Sequence, residues 1–298
     1  IKGTQVGDLS DLRFIMIDEF QDIAPMFFDL VIGSRRISED LEFFCVGDDW
    51  QAINSFAGSD LVYFEQFQNY FQQIKHLEIS TNYRSPKSVV KLGNSIMRGK
   101  GTPAIPHQTQ NGSIGTIDIQ KSQLSGLEME EHSGDVITPA LIRILDVVLQ
   151  QNARRNVVLL CRSNSVPYYV QYKESMVTTA QGLEKFLEHI KSFISKEESA
   201  RLSISTAHGY KGLENDAVII IDAIEHRYPL IHPDWKFTQI FGSSVQQIVE
   251  EERRLFYVAA TRSKELTLMI TESDQPSEFL ADLEHLPELE RLTLSDFP

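Results

Sequence analysis

Phe14-Ile15-Met16-Ile17-Asp18-Glu19-Phe20-Gln21-Asp22 is the stretch that decides how the rest of this 298-residue chain is read. Four apolar residues bounded by charge predict a strand buried on both faces of a parallel sheet, with two carboxylates following where the strand ends. That edge is where open α/β sheets bind ligands. An adjacent Asp-Glu pair there divides its work: one carboxylate holds Mg²⁺, mostly through water, while the next polarises a water against a phosphoryl group. The competing reading is a helix start, because acidic residues favour a first turn. The stretches downstream favour the first.

Composition bounds the answer. With 298 residues and 42% hydrophobic content the chain can form two domains with real cores. Net charge is −14, and residues 1–78 hold 14 acidic against 5 basic side chains, so the surplus of acid lies in the first quarter. This balance excludes a broad electrostatic grip on nucleic acid and leaves room only for a local groove. Cys45 and Cys161 sit in apolar runs without metal-ligand spacing, which predicts buried, reduced thiols in a cytoplasmic protein. No apolar run reaches the ~18 residues of a membrane span. The chain opens at Ile1 without Met or a signal-like segment, which suggests an amino-terminal truncation.

The chain continues as α/β alternation. A helix is expected over 24–37, with Met26, Phe27, Leu30 and Val31 on one face, and a second buried strand over 41–46. Residues 61–71 read as helical with core aromatics, 76–80 as a short strand, and 87–97 as a helix whose Val89, Val90, Leu92 and Ile96 face inward. Residues 98–115 read as an excursion and 116–119 as a strand, while 124–134 should be exposed. Helices at 138–150, 182–195 and 250–262 and strands at 157–161, 202–205, 217–221 and 266–270 follow, with a last helix at 276–283. In the helix at 250–262, Glu251, Leu255, Val258 and Arg262 share a face, Glu250 and Arg254 support it at i,i+4, and Arg262 has no acidic residue at i−3 or i−4.

Three loops carry chemistry. Gly47-Asp48-Asp49-Trp50-Gln51 follows the second strand, placing acid and amide where a phosphate at the sheet edge is felt. Thr81-Asn82-Tyr83-Arg84-Ser85-Pro86 sets an Arg beside an aromatic at a strand-to-helix turn, suited either to phosphate and base or to an ordinary surface ion pair. Thr206-Ala207-His208-Gly209-Tyr210-Lys211-Gly212-Leu213-Glu214 reads as a phosphate-approaching loop or as a plain polar turn.

Six stretches in one order, IDEFQD, GDDWQAINSFAGSD, TNYRSP, LLCRSN, TAHGYKGLE and EERRLFYVAATRSK, resemble the motor core of superfamily 1 DNA helicases of the UvrD, Rep and PcrA type. GDDWQAI is most similar to the helicase IV branch. The resemblance implies an α/β fold of parallel-sheet RecA-like domains, the first incomplete over 1–78 and the second complete over 79–298 with a short excursion around 98–135. It implies ATP and Mg²⁺ as cofactors, single-stranded DNA as partner, and 3′ to 5′ movement. By the same resemblance Asp18 would hold the metal and Glu19 would activate the attacking water. Gln51 would sense the γ-phosphate, with Arg84 and Arg262 contacting it as arginine fingers. Tyr83 would stack on adenine and Glu214 would touch ribose. Phe56 would stack an unpaired base, with Asn54 in the same loop and Thr206 and His208 near the backbone.

The chain departs from the family pattern in three places. No GxxxxGK[ST] occurs in it, so the main triphosphate cradle is expected from an amino-terminal remainder of the parent chain. These 298 residues alone would then be inactive. Asn54 and Ala57 stand where relatives often carry Tyr and Arg. Only 121 residues lie between Arg84 and Thr206, too few for a large accessory subdomain. Two other readings stay open at this point: a non-catalytic nucleic-acid-binding or adaptor protein derived from a helicase core, and a subunit of a helicase-nuclease.

Overall fold

The computed structural model describes residues 11–36, 40–71, 73–132, 135–165, 179–231 and 244–298, with the side chains of 179–181 left undescribed. The chain divides into two compact units, Ile1–Glu78 and Ile79–Pro298.

In the first unit, strands β1 (Phe14–Ile17) and β2 (Glu42–Cys45) pair in parallel, with Phe14 opposite Glu42 and Ile17 opposite Cys45. Helix α1 (Pro25–Ser34) starts with Pro in its first turn, where the missing N–H is harmless. Short helices α2 (Val62–Glu65) and α3 (Phe67–Tyr70) follow. The core is aromatic: Phe28 stacks on Tyr63 at 4.0 Å and Phe67 on Phe71 at 4.3 Å, with Phe20 and Val31 buried beside them. The aromatics of 61–71 are therefore core, as expected.

Several expectations need correction here. Among the described residues β1 is covered on one face: Phe14 and Met16 are 64% and 75% exposed, while Ile15 and Ile17 are half-buried and Ile17 packs on the aromatic cluster. Successive side chains point to opposite faces, and the described residues pack on one face of this two-stranded sheet. Phe44 and Val46 are exposed for the same reason, and Cys45 is half-buried rather than buried. In α1 almost every position is apolar, so periodicity could not choose the inner face; Phe28 and Val31 point inward and Met26, Phe27 and Leu30 outward. No strand forms over 76–80, where Leu77 and Ile79 are exposed.

The second unit is built on a six-stranded parallel sheet. Its strands are β5 (Ser113–Asp118), β6 (Val157–Cys161), β7 (Leu202–Thr206), β8 (Asn215–Ile220), β9 (Ser263–Thr271) and β10 (Leu289–Thr293), after the small pair β3 (Thr81–Asn82) and β4 (Ile105–Pro106). Their order is β10-β5-β9-β8-β6-β7. Helices α6 (Ile137–Gln151) and α7 (Thr179–Lys191) bury Leu141, Ile144, Leu145 and Phe186 against Leu159, Cys161, Ile219 and Ile270. Helices α4 (Lys87–Ile96) and α9 (Val245–Ala260) pack on one another and on β5, β8 and β9. They approach closely because Gly93 has no side chain; a Cβ there would lie 2.8 Å from the Tyr257 ring and 2.9 Å from Thr261 Cγ2. Strand β10 is not evident from the sequence, since Leu289-Glu290-Arg291-Leu292-Thr293 is mostly polar, as suits a sheet edge. Residues 124–134 are not simply exposed: α5 (Gly126–Glu131) forms there between buried Leu124 and His132. Part of the connection after Arg227 lies outside the described residues.

Candidate functional site

Each unit carries its own set of candidate residues. In the first, β1 ends at Ile17 and the backbone turns sharply: Glu19 adopts left-handed φ 51° and ψ 42°, uncommon for a residue with a side chain. Asp18 Oδ1 accepts the Glu19 N–H at 2.9 Å, stabilising that turn. Beside it, after β2, Asp48 Oδ1 accepts from the Trp50 N–H at 3.0 Å and caps the single turn Asp49–Gln51. Asp48 Oδ2 also accepts from Gln51 Nε2 at 2.6 Å. Between the two strand ends lies Gln21, 1% exposed. Its Nε2 donates to Glu19 Oε2 at 2.5 Å and its Oε1 accepts from the Asp48 N–H at 3.0 Å. Gly47 leaves room for this amide, since a Cβ there would fall 2.6 Å from Gln21 Oε1. Asp18, Glu19 and Gln51 are thus brought together at the carboxyl ends of two adjacent parallel strands. The sequence points to Asp48 only as an acid near a phosphate and gives Gln21 no role, because the two meet across 27 positions.

In the second unit, the Asn82 carboxamide accepts from the backbone N–H groups of Arg84 and Ser85 at 3.0 and 2.9 Å, folding the turn that presents Tyr83 and Arg84. Gln108 Nε2 donates to the carbonyls of Tyr83 and Arg84 at 3.0 and 2.7 Å, and the His107 ring lies 4.5 Å from that of Tyr83. Neither residue was singled out in the sequence, because only the pairing of β3 with β4 brings residues 107 and 108 here. Tyr83 remains 63% exposed. Arg84 Nε pairs with Glu214 at 3.2 Å, and Lys264 Nζ pairs with the other oxygen of Glu214 at 2.7 Å. The Lys264 hydrogen bond holds the Glu214 carboxyl below its ordinary value; burial opposes it, and the charges of Lys264, Arg84 and Arg262 add to the lowering. Arg84, Glu214 and Arg262 therefore converge although up to 178 positions apart, because Glu214 and Arg262 directly precede the paired strands β8 and β9.

Arg262 is a buried side chain. It is 4% exposed, its Nε donates to the Val258 carbonyl at 2.9 Å and its Nη2 to Thr261 Oγ1 at 3.3 Å. It closes the carboxyl end of α9, where a cation is favoured by the open carbonyls. Glu250, expected to support Arg254, pairs with Lys100 at 2.8 Å.

Thr206 and His208 lie elsewhere. Thr206 is level with Cys161, at the carboxyl ends of the strands, whereas Ala217 is level with Val157 at the other. Residues 207–214 therefore run the height of the sheet, roughly 13 Å at the usual strand rise, and separate Thr206 from Glu214. Thr206 Oγ1 accepts the Gly209 N–H at 3.0 Å, and His208 is half-buried. In the first unit Phe56 is 75% exposed, and half-buried Asn54 accepts the Ala57 N–H at 3.0 Å through its carbonyl.

A buried network at the carboxyl ends of β6 and β8 was missed altogether. Arg162 makes a forked pair with Glu252 of α9, and its N–H reaches both oxygens of Asp222 at 2.9 and 3.1 Å. Glu252 also accepts the Leu230 N–H at 3.0 Å, and Arg227 reaches Ser163 Oγ at 2.9 Å. Burial pushes the Asp222 carboxyl up to about 6, opposed by that N–H and by the Arg227 and Arg162 charges. The only signal in the sequence was LLCRSN, with an acid following the apolar run 217–221.

Comparison with known proteins places this arrangement. Residues 9–72 match the UvrD/REP helicase N-terminal domain and residues 168–274 the UvrD-like helicase C-terminal domain. A protein named "Probable DNA helicase" from Mycoplasma pneumoniae is 26% identical over 295 residues, covering 92% of this chain and 48% of that protein. "DNA helicase IV" of Escherichia coli is 25% identical over 284 residues, covering 93% of this chain and 36% of that protein. "ATP-dependent DNA helicase Rep" of Escherichia coli is 26% identical over 135 residues, covering 44% and 19%. The chain spans about half or less of the length of these relatives. With both helicase domain patterns in order along it, and motif residues gathered at its strand ends, the chain belongs to the UvrD-like helicase family.

Proposed function

We propose that this chain is the carboxy-terminal portion of an ATP-dependent DNA helicase that translocates on single-stranded DNA, in the 3′ to 5′ direction. Residues 1–78 are read as the remainder of a first RecA-like domain and 79–298 as a second. The observation that carries the proposal is the hydrogen-bonded set Glu19, Gln21, Asp48 and Gln51 at the ends of two adjacent parallel strands, where a nucleotide is received.

Asp18 fits Mg²⁺: it is an exposed, hard oxygen donor at a strand end, and such a site takes one or two carboxylates and completes its shell with water and phosphate. Among the described residues no group of three or more His, Cys, Asp or Glu could hold a metal by itself. Mg²⁺ neutralises phosphate charge when bound. Glu19 orients and deprotonates the attacking water, Gln51 contacts the γ-phosphate, and Arg84 and Arg262 stabilise charge on it. Tyr83 offers a ring to adenine and Glu214 a carboxylate to ribose. Phe56 stacks a base, with Asn54, Thr206 and His208 along the strand.

Glu19→Gln in the full-length protein should lower DNA-stimulated kcat by orders of magnitude with little change in ATP affinity, because only the transition state loses an interaction. An unchanged kcat removes Glu19 from this role. A second reading, a nucleic-acid-binding module without hydrolysis, is favoured by the absence of GxxxxGK[ST] from these residues. Phosphate release separates the two: the proposal expects negligible turnover from the 298 residues alone and robust turnover from the full-length protein, while the second reading expects none from either.

A further inference from the structure

We infer that Gln21 is a positioning residue that couples the γ-phosphate contact of Gln51 to the water-activating carboxylate of Glu19. This rests on the reading of Glu19 and Gln51 given above. Glu19 stands at a left-handed turn and is exposed, so the direction of its carboxylate depends on the polar groups it meets. A charge-assisted hydrogen bond at 2.5 Å from an amide that cannot itself move fixes that direction. Gln21 is immobile for three reasons: it is 1% exposed, its Oε1 is engaged by the Asp48 N–H, and Gly47 backs directly onto that oxygen. The orientation of the amide is settled by chemistry, since Glu19 can only accept and the Asp48 N–H can only donate.

Asp48 completes the link. Its backbone N–H holds Gln21, one carboxylate oxygen caps the turn bearing Gln51, and the other holds the Gln51 amide. The Gln51 amide has a second N–H to offer a phosphate while the first stays on Asp48 Oδ2. A turn of that amide towards the phosphate then pulls on Asp48, and a shift of Asp48 is felt through its N–H at Gln21 and so at Glu19. One buried amide therefore lets arrival of the γ-phosphate set the carboxylate that must align water with it. A buried glutamine that merely satisfied its own polarity would stabilise the fold without this consequence.

The test is steady-state ATP hydrolysis by the full-length protein with saturating single-stranded DNA. Gln21→Met keeps length and burial but removes both hydrogen bonds. It should lower kcat about 10- to 100-fold, the cost of a misplaced catalytic group, with KM for ATP within about 2-fold. Gly47→Ala reaches the same amide from behind and should lower kcat in the same sense. Combined with Gln21→Met it should add little to the fall in kcat, since both displace the Gln21 amide, while its methyl, 2.8 Å from the Phe64 ring, should lower the melting temperature further. Thermal melts check folding, and if Gln21→Met does not fold, Gly47→Ala alone decides. Normal kcat in folded Gln21→Met, or in Gly47→Ala when that variant decides, overturns the inference, as does a KM that rises as much as kcat falls. Glu19→Gln in the same series separates the two levels. If it abolishes turnover while Gln21→Met does nothing, the inference fails and the functional reading survives; if it too does nothing, that reading fails.

Discussion

Arg262 shows how one side chain serves structure and chemistry together. Its guanidinium donates to Val258 and Thr261 at the end of α9, and its charge is felt at Glu214, which also holds Arg84 and Lys264. Arg262→Lys keeps the charge and loses the planar fork, so it is not a silent exchange. On the reading that Arg262 contacts the γ-phosphate, DNA-stimulated kcat of the full-length protein should fall on the order of 10³-fold. Because the residue is buried, a loss of about 1–3 kcal/mol in stability should accompany that fall. Arg253→Lys is the control on the same helix. Arg253 pairs with Asp282, donates to the Ile96 carbonyl at 3.1 Å and lies 4.7 Å over the Phe279 ring, so its loss should lower the melting temperature without a comparable fall in kcat. Full activity in Arg262→Lys would remove it from the nucleotide site.

At the scale of elements, β6, β8 and α9 are joined by charge rather than by apolar packing alone. Asp222 is fully buried and touches the β6 end through the Arg162 N–H; Arg162, Arg227, Glu252, Tyr228 and Cys161 are the charged or titratable groups around it. Its folded value of about 6 stands above the ordinary 3.8, so the folded state holds the proton more tightly than the unfolded chain. The stabilisation from protonated Asp222 is complete below about 3.8 and is lost as pH rises through about 6. Between pH 5 and 7 the loss should be about 1 kcal/mol. Asp222→Asn removes this dependence while keeping an acceptor for the Arg162 N–H. Its stability relative to the natural chain should therefore improve from pH 5 to pH 7, as read from denaturant unfolding at both values. A difference that does not vary with pH would show that Asp222 ionises as readily in the fold as outside it.

On the proposed reading, the acid surplus of these 298 residues limits how they can hold DNA. Of the basic side chains in 79–117, where no Asp or Glu occurs, Arg84, Lys91 and Lys100 are already paired with Glu214, Glu288 and Glu250. A chain of net charge −14 that spends cations internally should release few counterions on binding. Affinity of these 298 residues for oligothymidylate should then fall shallowly with salt, with a log–log slope smaller in magnitude than about 3. Stacking should carry more of the binding, and Phe56→Ala should weaken it by about 1–3 kcal/mol. Fluorescence anisotropy across a salt series measures both; a steep slope with no effect of Phe56→Ala would mean that phosphate contacts hold the strand.

The sequence by itself determined the strand-and-helix alternation of the second unit. Val157–Cys161 is fully apolar and α4 turns Val89, Val90, Leu92 and Ile96 inward, patterns that arise from local periodicity and burial. It also determined the family, because six short motifs in one order need no coordinates to be recognised. Local pattern failed where every position looked alike or where contacts were distant. In α1 nearly all residues are apolar, so only packing could choose Phe28 and Val31 over Met26, Phe27 and Leu30. β10 is polar in sequence and exists because β5 offers it a ladder. Gln21, His107, Gln108, Asp222 and Glu252 acquire their distant partners only through pairing of strands and packing of α9, at separations up to 90 positions. Hydrogen bonds and buried charges act over a few ångströms, and tertiary structure alone decides which residues come that close.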